Sequence, residues 1–366
     1  MLPVNDFAMP LRLSVTPHTL QFKFDARTSR GAMKTHQVYY LSLWEEGRPE
    51  VIGVGECAPL PGLSIDHRPD LAQKLRELAD LIAQVIPSVG QLQQYLQQDE
   101  LRAWPSIRFA LETALLDLQT GGQKLLYQNT FSRGEEGIPI NGLIWMGDQD
   151  FMQQQIRQKL TQGYTCLKLK IGSLDFATEL EILKQIREVA GPEDLTIRVD
   201  ANGAFATEEA FRKLERLSRY SLHSIEQPIK QGQLEHMQQL CAYTPIPIAL
   251  DEELIGVAEP GQQQELLDFI KPQYIILKPT LVGGLEASAA WIQLAEERQI
   301  GWWMTSALES NIGLNAISQF TANYAVTMPQ GLGTGQLYHN NIGSPLQIRD
   351  GRLWYGQAEW EPLPQV

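Results

Sequence analysis

Six charged side chains recur at intervals that no single helix or loop accounts for: Lys168, Lys170, Asp200, Glu226, Asp251 and Lys278. Each follows or ends a short apolar run, in Cys166-Leu167-Lys168-Leu169-Lys170, Arg198-Val199-Asp200, Ile225-Glu226, Ala249-Leu250-Asp251 and Ile276-Leu277-Lys278. Asp200 and Glu226 stand 26 positions apart and Glu226 and Asp251 stand 25, the length of one strand and its return helix. Along the five runs the signs read plus, minus, minus, minus, plus. Three carboxylates gathered in this way make a hard oxygen site that suits Mg²⁺ and poorly suits zinc. Flanking lysines fit removal of a proton from the carbon beside a carboxylate. That step places a second negative charge on the group, which a divalent ion offsets. A lysine acts as the base only when its pKa falls from about 10.4 toward neutrality. The Lys168 ammonium and a metal push Lys170 in that direction. Lys278 serves either as a second acid/base or as a fixed cation. Any one of these charges alone is more simply a helix cap or a solvated loop residue. The regular spacing of the whole set weighs against that reading.

Positioning such a set requires parallel strands. From about Ile138 the chain alternates apolar runs, at 138–146, 166–172, 196–202, 223–228, 246–252, 274–279 and 301–308, with amphipathic stretches such as 175–190, 207–218, 284–298 and 310–324. This alternation predicts βαβ units. Seven strands, with a weak eighth at 328–334, predict a barrel whose catalytic groups collect at the C-terminal strand ends. Side chains alternate along a strand, so Lys168 and Lys170 point the same way, as do Arg198 and Asp200. Strands two and six of an eight-membered ring lie opposite each other, which sets Lys170 facing Lys278. The N-terminal part reads as α+β, with strand patterns in Leu11–Val15 and Gln37–Leu43, a mobile loop from Ala26 to Lys34, and a helical stripe from Ser106 to Leu118.

The 366 residues, 43% hydrophobic and 20% charged, fit one barrel and a smaller domain. No apolar stretch approaches the ~20 residues of a membrane span, and the first residues lack the pattern of a secretory signal. Cys57, Cys166 and Cys241 are an odd count without metal-site spacing, which argues against a disulfide framework. These features make the cytoplasm the expected location. A formal net charge of −13 argues against a nucleic-acid partner. Gln153–Gln155 and Gln262–Gln264 read as solvated helix faces.

The set Lys168-x-Lys170, Asp200-Ala-Asn202, Glu226-Gln-Pro228, Asp251-Glu252 and Lys278-Pro279 resembles the enolase superfamily, in its muconate-lactonizing-like branch. The resemblance covers nearly the whole chain. It implies an α/β fold, a modified TIM barrel (β/α)₇β over 135–335, with an N-terminal α+β capping domain over 1–134 completed by 336–366. It also implies Mg²⁺ held by Asp200, Glu226 and Asp251, with Lys170 as base and Lys278 as the cation opposite. Thr305-Ser306-Ala307-Leu308-Glu309-Ser310, Gly331-Leu332-Gly333-Thr334-Gly335, Asn340-Asn341-Ile342 and, in the cap, Gly55-Glu56-Cys57-Ala58-Pro59-Leu60 are similar to a lyase group of that branch. Those lyases dehydrate a succinyl-hydroxycyclohexadiene carboxylate to 2-succinylbenzoate in menaquinone biosynthesis.

Racemases and dipeptide epimerases share parts of these motifs and stay as alternatives. A non-catalytic ligand-binding barrel is the remaining one, against which the complete set of lysines and acids speaks. A small-molecule carboxylate is the expected partner, and the oligomeric state is open. Lys168, Asn202, Ser306 and Glu309 are the expected substrate contacts. The competing accounts are an Asx turn at Asn202 and a helix cap at Ser310. Arg198 is expected to pair with a ligand carboxylate, Trp302 and Trp303 to lie in the core, and the 26–34 loop to close over the site.

Overall fold

The computed structural model describes residues 10–28, 31–145 and 148–364. Three antiparallel strands open the chain: β1 (Leu11–Thr28), β2 (Gly31–Glu45) and β3 (Ile52–Cys57), in the order β1-β2-β3. Alternating apolar residues of β1 and β2 turn one face toward α1 (Leu71–Gln84), α2 (Val89–Leu96) and α3 (Pro105–Gln119). Helix α3 matches the predicted stripe, has Pro105 in its first turn and buries Ile107, Leu111, Ala114, Leu115 and Leu118. Each large side chain so buried contributes about 1.5–3 kcal/mol. Its backbone lies directly on β3. A methyl at Gly53 or Gly55 would overlap the carbonyl oxygens of Ala114 or Ala110, so only glycine permits this approach.

Of the segment 26–34 expected as a loop, residues 26–28 and 31–34 are strand, and 29–30 lie outside the described residues. Beyond an irregularity between Gln21 and Ala26 the ladder resumes, with Ala26 opposite Met33, Arg27 opposite Ala32 and Thr28 opposite Gly31. Polar and small residues at a hairpin tip need no buried face. Backbone pairing, with Ala26 buried and Met33 packed beneath, carries the strands outward.

The apolar run 138–146 splits. Strand β4 (Ile138–Pro139) leaves the barrel sheet, and β5 (Gly142–Ile144) begins it. There follow α4 (Gln149–Thr161), β6 (Cys166–Lys170), α5 (Phe176–Val189), β7 (Thr196–Asp200), α6 (Thr207–Leu217), β8 (Ser224–Glu226), α7 (Leu234–Tyr243), β9 (Ile248–Leu250), α8 (Pro260–Ile270), β10 (Tyr274–Leu277), α9 (Pro279–Val282), α10 (Leu285–Glu297), β11 (Gly301–Met304) and α11 (Asn311–Thr321). Seven strands pair in parallel in chain order from β5 to β11. The weak eighth strand is reduced to Gln330 and Gly331. These residues bridge Ile140 on one side and Thr305 on the other, both in parallel, and so close the ring. The result is a modified TIM barrel with an α+β cap.

Residues 337–340 run beside β1, where Lys23 N donates to Leu337 O at 2.9 Å and His339 N to Gln21 O at 2.9 Å. The hairpin β12 (Leu346–Arg349) and β13 (Arg352–Tyr355) pairs instead with β4. Cap and barrel are tied at Glu56 of β3, which accepts from Ser310 N (2.7 Å), Ser310 Oγ (2.6 Å) and Gly313 N (2.8 Å) at the start of α11. Two glutamines depart from the solvated reading. Gln155 bonds both backbone groups of Trp145, and buried Gln263 donates to Val257 O. No helix among the described residues is long and apolar enough to cross a membrane. Cys57, Cys166 and Cys241 are buried free thiols.

Candidate active site

Strand register builds the site. Lys170 lies opposite Asp200 and Asp200 opposite Glu226, which sets the three side by side in one layer of the ring. Asp251 and Lys278 come directly after β9 and β10. All of these side chains turn inward: Lys168, Lys170 and Lys278 are 9%, 11% and 11% exposed, and the carboxylates 0–2%. Charges this deep require partners, and they have them. Lys168 Nζ lies 3.0 Å from Asp200 Oδ2 and pairs with Glu226 Oε2. Lys170 Nζ donates to Asp200 Oδ2 at 2.5 Å and to Asn202 Oδ1 at 3.0 Å. Lys278 Nζ pairs with Asp251 Oδ2.

Among the described residues no three His, Cys, Asp or Glu side chains are gathered into a metal-ligand cluster; Lys168 bridges Asp200 and Glu226, and Lys278 pairs with Asp251. Glu226 Oε1 is nevertheless buried and accepts no hydrogen bond. Three hard carboxylates, one with an orphaned oxygen, are a donor set of the kind Mg²⁺ takes.

The lysines differ in their electrostatics. Burial above all depresses the pKa of Lys170, and the Lys168 and Lys278 ammonium groups add to this against the pull of Asp200. Burial also opposes the charge on Lys278, yet Asp251 outweighs it and raises that pKa. Lys168 is raised in the same way, with Asp200 and Glu226 outweighing burial. Removal from water, more than the cationic neighbours named above, thus lowers Lys170.

Backbone turns hold the layer. Asn202 has φ +44° and its N–H donates to Asp200 Oδ1 at 2.9 Å, which is an Asx turn, while its side chain holds Lys170 and donates to Glu252 Oε1 at 3.2 Å. The Asx turn is present, and the side chain serves the Lys170 amine and Glu252 without lining the cavity. Gln227, which the sequence reading passed over, has φ +38° and a buried amide that accepts from Asp251 N (3.3 Å) and donates to Glu253 Oε2 (2.9 Å). Its signal was present: Pro228 follows it and bars a helical conformation there.

Other expected residues lie differently. Ser306 lines the cavity and donates to Glu309 Oε2 at 2.6 Å. The Glu309 side chain is fully buried, takes Thr280 Oγ1 as well, and does not line the cavity. Ser310 caps α11, accepting from Ile312 N. Arg198 makes no ion pair among the described residues. Its guanidinium stacks 4.0 Å from the ring centroid of buried Trp303 and donates to Pro329 O at 2.7 Å. It sits two residues below Asp200 on β7, so an aromatic face reaches it where a carboxylate does not. Trp303 is core, as expected, and Trp302 packs against the core.

Above the charged layer opens a cavity of about 670 Å³. Lys168, Lys170 and Lys278 line it, the hairpin residues Phe24 and Met33 and the cap residue Leu60 border it, and among the described residues none that lines it is Asp or Glu.

The family model Enolase C-terminal domain-like matches residues 151–358. The o-succinylbenzoate synthase of Desulfotalea psychrophila is 48% identical over 94% of this chain and 98% of its own length. The crystal structure of MenC from the same organism superposes with a TM-score of 0.83 at 45% identity, over 94% of this chain and 99% of that one. The dipeptide epimerase of Enterococcus faecalis, solved with Mg and a dipeptide, shares the fold at a TM-score of 0.81 and 20% identity, over 96% of this chain and 98% of that one. The chain belongs to the o-succinylbenzoate synthase family of the enolase superfamily.

Proposed function

We propose that the protein is a carbon–oxygen lyase that dehydrates 2-succinyl-6-hydroxy-2,4-cyclohexadiene-1-carboxylate to 2-succinylbenzoate, a step of menaquinone biosynthesis. The observation that carries this reading is one inward layer of three lysines on three carboxylates, beneath a cavity walled without acids. Asp200, Glu226 and Asp251 are the residues that hold Mg²⁺, and the orphaned Glu226 oxygen supports the assignment. When bound, the ion offsets the second negative charge that develops on the substrate carboxylate.

Lys170, with its pKa depressed, takes the proton from the ring carbon beside that carboxylate, leaving an enediolate. The carbon–oxygen bond to the neighbouring hydroxyl then breaks with its electron pair going to oxygen. Lys170 returns its proton to the departing oxygen on the same face, water leaves, and the ring becomes aromatic. Lys278, with its pKa raised, stays charged and stabilises the intermediate by its field. Lys168 keeps its charge beside the substrate carboxylate, and Asn202 orients the base.

The 48% identity to an o-succinylbenzoate synthase over nearly the whole of both chains favours dehydration over racemisation. The acid-free wall likewise favours a dianionic substrate over one carrying an ammonium group. The same reading makes a small-molecule carboxylate the partner and the cytoplasm the location. Growth of aromatic product absorbance on adding the protein and Mg²⁺ to the cyclohexadiene substrate tests it. Faster deuterium uptake from solvent into N-acylamino acids than dehydration would replace it with the racemase reading.

A further inference from the structure

The cavity does not end at the ring of strand ends. Between β5 and the closing segment the barrel is joined only low on its wall, where Asn141 N donates to Gln330 O at 3.0 Å and Gln330 N to Pro139 O at 2.8 Å. Above that point no backbone bond among the described residues links β5 to 333–337. The cavity lining passes through this seam and reaches α4.

Three polar groups meet there. Lys159, on the last turn of α4, lies 4.8 Å from the ring centroid of Tyr164 and packs its stem against Gly142. Alone among the four lysines lining the cavity, it makes no ion pair among the described residues. Burial lowers its pKa with nothing opposing it. Asn141 and Thr334, 5% and 7% exposed, also line the cavity, and Asn141 Oδ1 and Thr334 Oγ1 are buried without hydrogen-bond partners. Leaving such groups unmatched costs about 1–3 kcal/mol each. A cation and a hydroxyl, both able to donate, thus face a space that no carboxylate among the described residues fills; the Asn141 amide beside them donates only through Nδ2, its orphaned Oδ1 being an acceptor.

We propose that Lys159, Asn141 and Thr334 form a carboxylate-binding subsite in the barrel seam that takes the far carboxylate of the substrate's succinyl chain. This rests on the reaction proposed above, whose substrate carries one carboxylate at the reacting carbon and another at the end of a flexible keto chain. The first belongs with the strand-end lysines, all of which are engaged by the catalytic acids. The second needs a donor set of its own, and the seam supplies a cation for it. Ser306, which also lines the cavity, already spends its hydroxyl proton on Glu309.

The test compares binding of 2-succinylbenzoate and 2-butyrylbenzoate, whose keto chain ends in a methyl group, by calorimetry with Mg²⁺ present. The wild-type protein is expected to prefer 2-succinylbenzoate by about tenfold or more, the worth of one charge-assisted hydrogen bond. Lys159→Met keeps the stem against Gly142 and is expected to erase that preference, with KM raised more than kcat is lowered. Lys159→Arg is expected to restore most of it, and Thr334→Val to weaken it a few-fold. A preference that survives Lys159→Met intact overturns the subsite, as does one that disappears in Ser306→Ala alone. Wild-type protein that turns over the substrate but shows no preference also overturns the subsite while leaving the reaction standing. Wild-type protein with no turnover overturns the reaction itself, and the subsite with it.

Discussion

Along the arc of the barrel from β6 to β10, every charged group of the strand-end layer meets its opposite: Lys168 and Lys170 at Asp200, Lys168 at Glu226, Lys278 at Asp251. The arc from β11 through residues 330–337 to β5 behaves otherwise. Among the described residues its cavity wall holds no acid, Asn141 Oδ1 and Thr334 Oγ1 lack hydrogen-bond partners, and Lys159 meets the Tyr164 ring and no acid. The first arc is neutral within itself, and its lysines are split in basicity by burial and by the acids beside them. That is what proton transfer requires. The second presents a cation and a hydroxyl that no protein acid among the described residues engages, which suits recognition. One barrel thus separates making the reaction go from choosing what reacts.

The sharpest way to break this division is to delete a charge from the first arc. Lys170→Ala should lower kcat by about 10²–10⁴-fold, the usual contribution of a positioned base, with thermal unfolding little changed because Asp200 keeps Lys168 as a partner. If instead KM alone rose, the first arc would be a binding surface like the second. Glu226→Gln should come next, weakening Mg²⁺ binding by calorimetry and reducing turnover. Equal turnover with and without a chelator would remove the metal from the scheme.

Smaller effects are expected away from the two arcs. Ser306→Ala strips one donor from the buried Glu309 and should cost about 1–3 kcal/mol in urea unfolding. Glu56 links cap and barrel, and burial pushes its carboxyl up to about 7 despite the donors at Ser310 and Gly313. Its folded pKa lies above the unfolded one, so its stabilising contribution is complete below about pH 4.5 and is lost as pH rises through about 7. The unfolding midpoint should therefore drift down between pH 5 and 8, by at most about 3 kcal/mol from this group, and Glu56→Gln should flatten the drift.

The first arc was legible in the sequence because a parallel strand ends abruptly: a charge after an apolar run, repeated at one βα interval, declares both its position and its neighbours. The second arc was not. Lys159 sits on a helix turn where a lysine ordinarily faces water, and only the reduction of the eighth strand to Gln330 and Gly331 opens the wall beside it. That reduction, like the pairing of β4 with the distant β13, depends on contacts far apart in the chain. Residues 26–28 and 31–34 form strand despite a polar composition that resembles a loop, because pairing between strands rests largely on the backbone. Arg198 was misread because alternation gives the direction of a side chain but not what lies in its path; Trp303 does.

The central claim, that Lys170 moves the proton, is tested most directly with substrate carrying deuterium on the ring carbon beside the carboxylate, followed by aromatic absorbance in wild-type and Lys170→Ala protein. Wild type is expected to slow measurably with the heavier isotope, and Lys170→Ala to form almost no product from either form. Product formation by Lys170→Ala near the wild-type rate would place the base elsewhere.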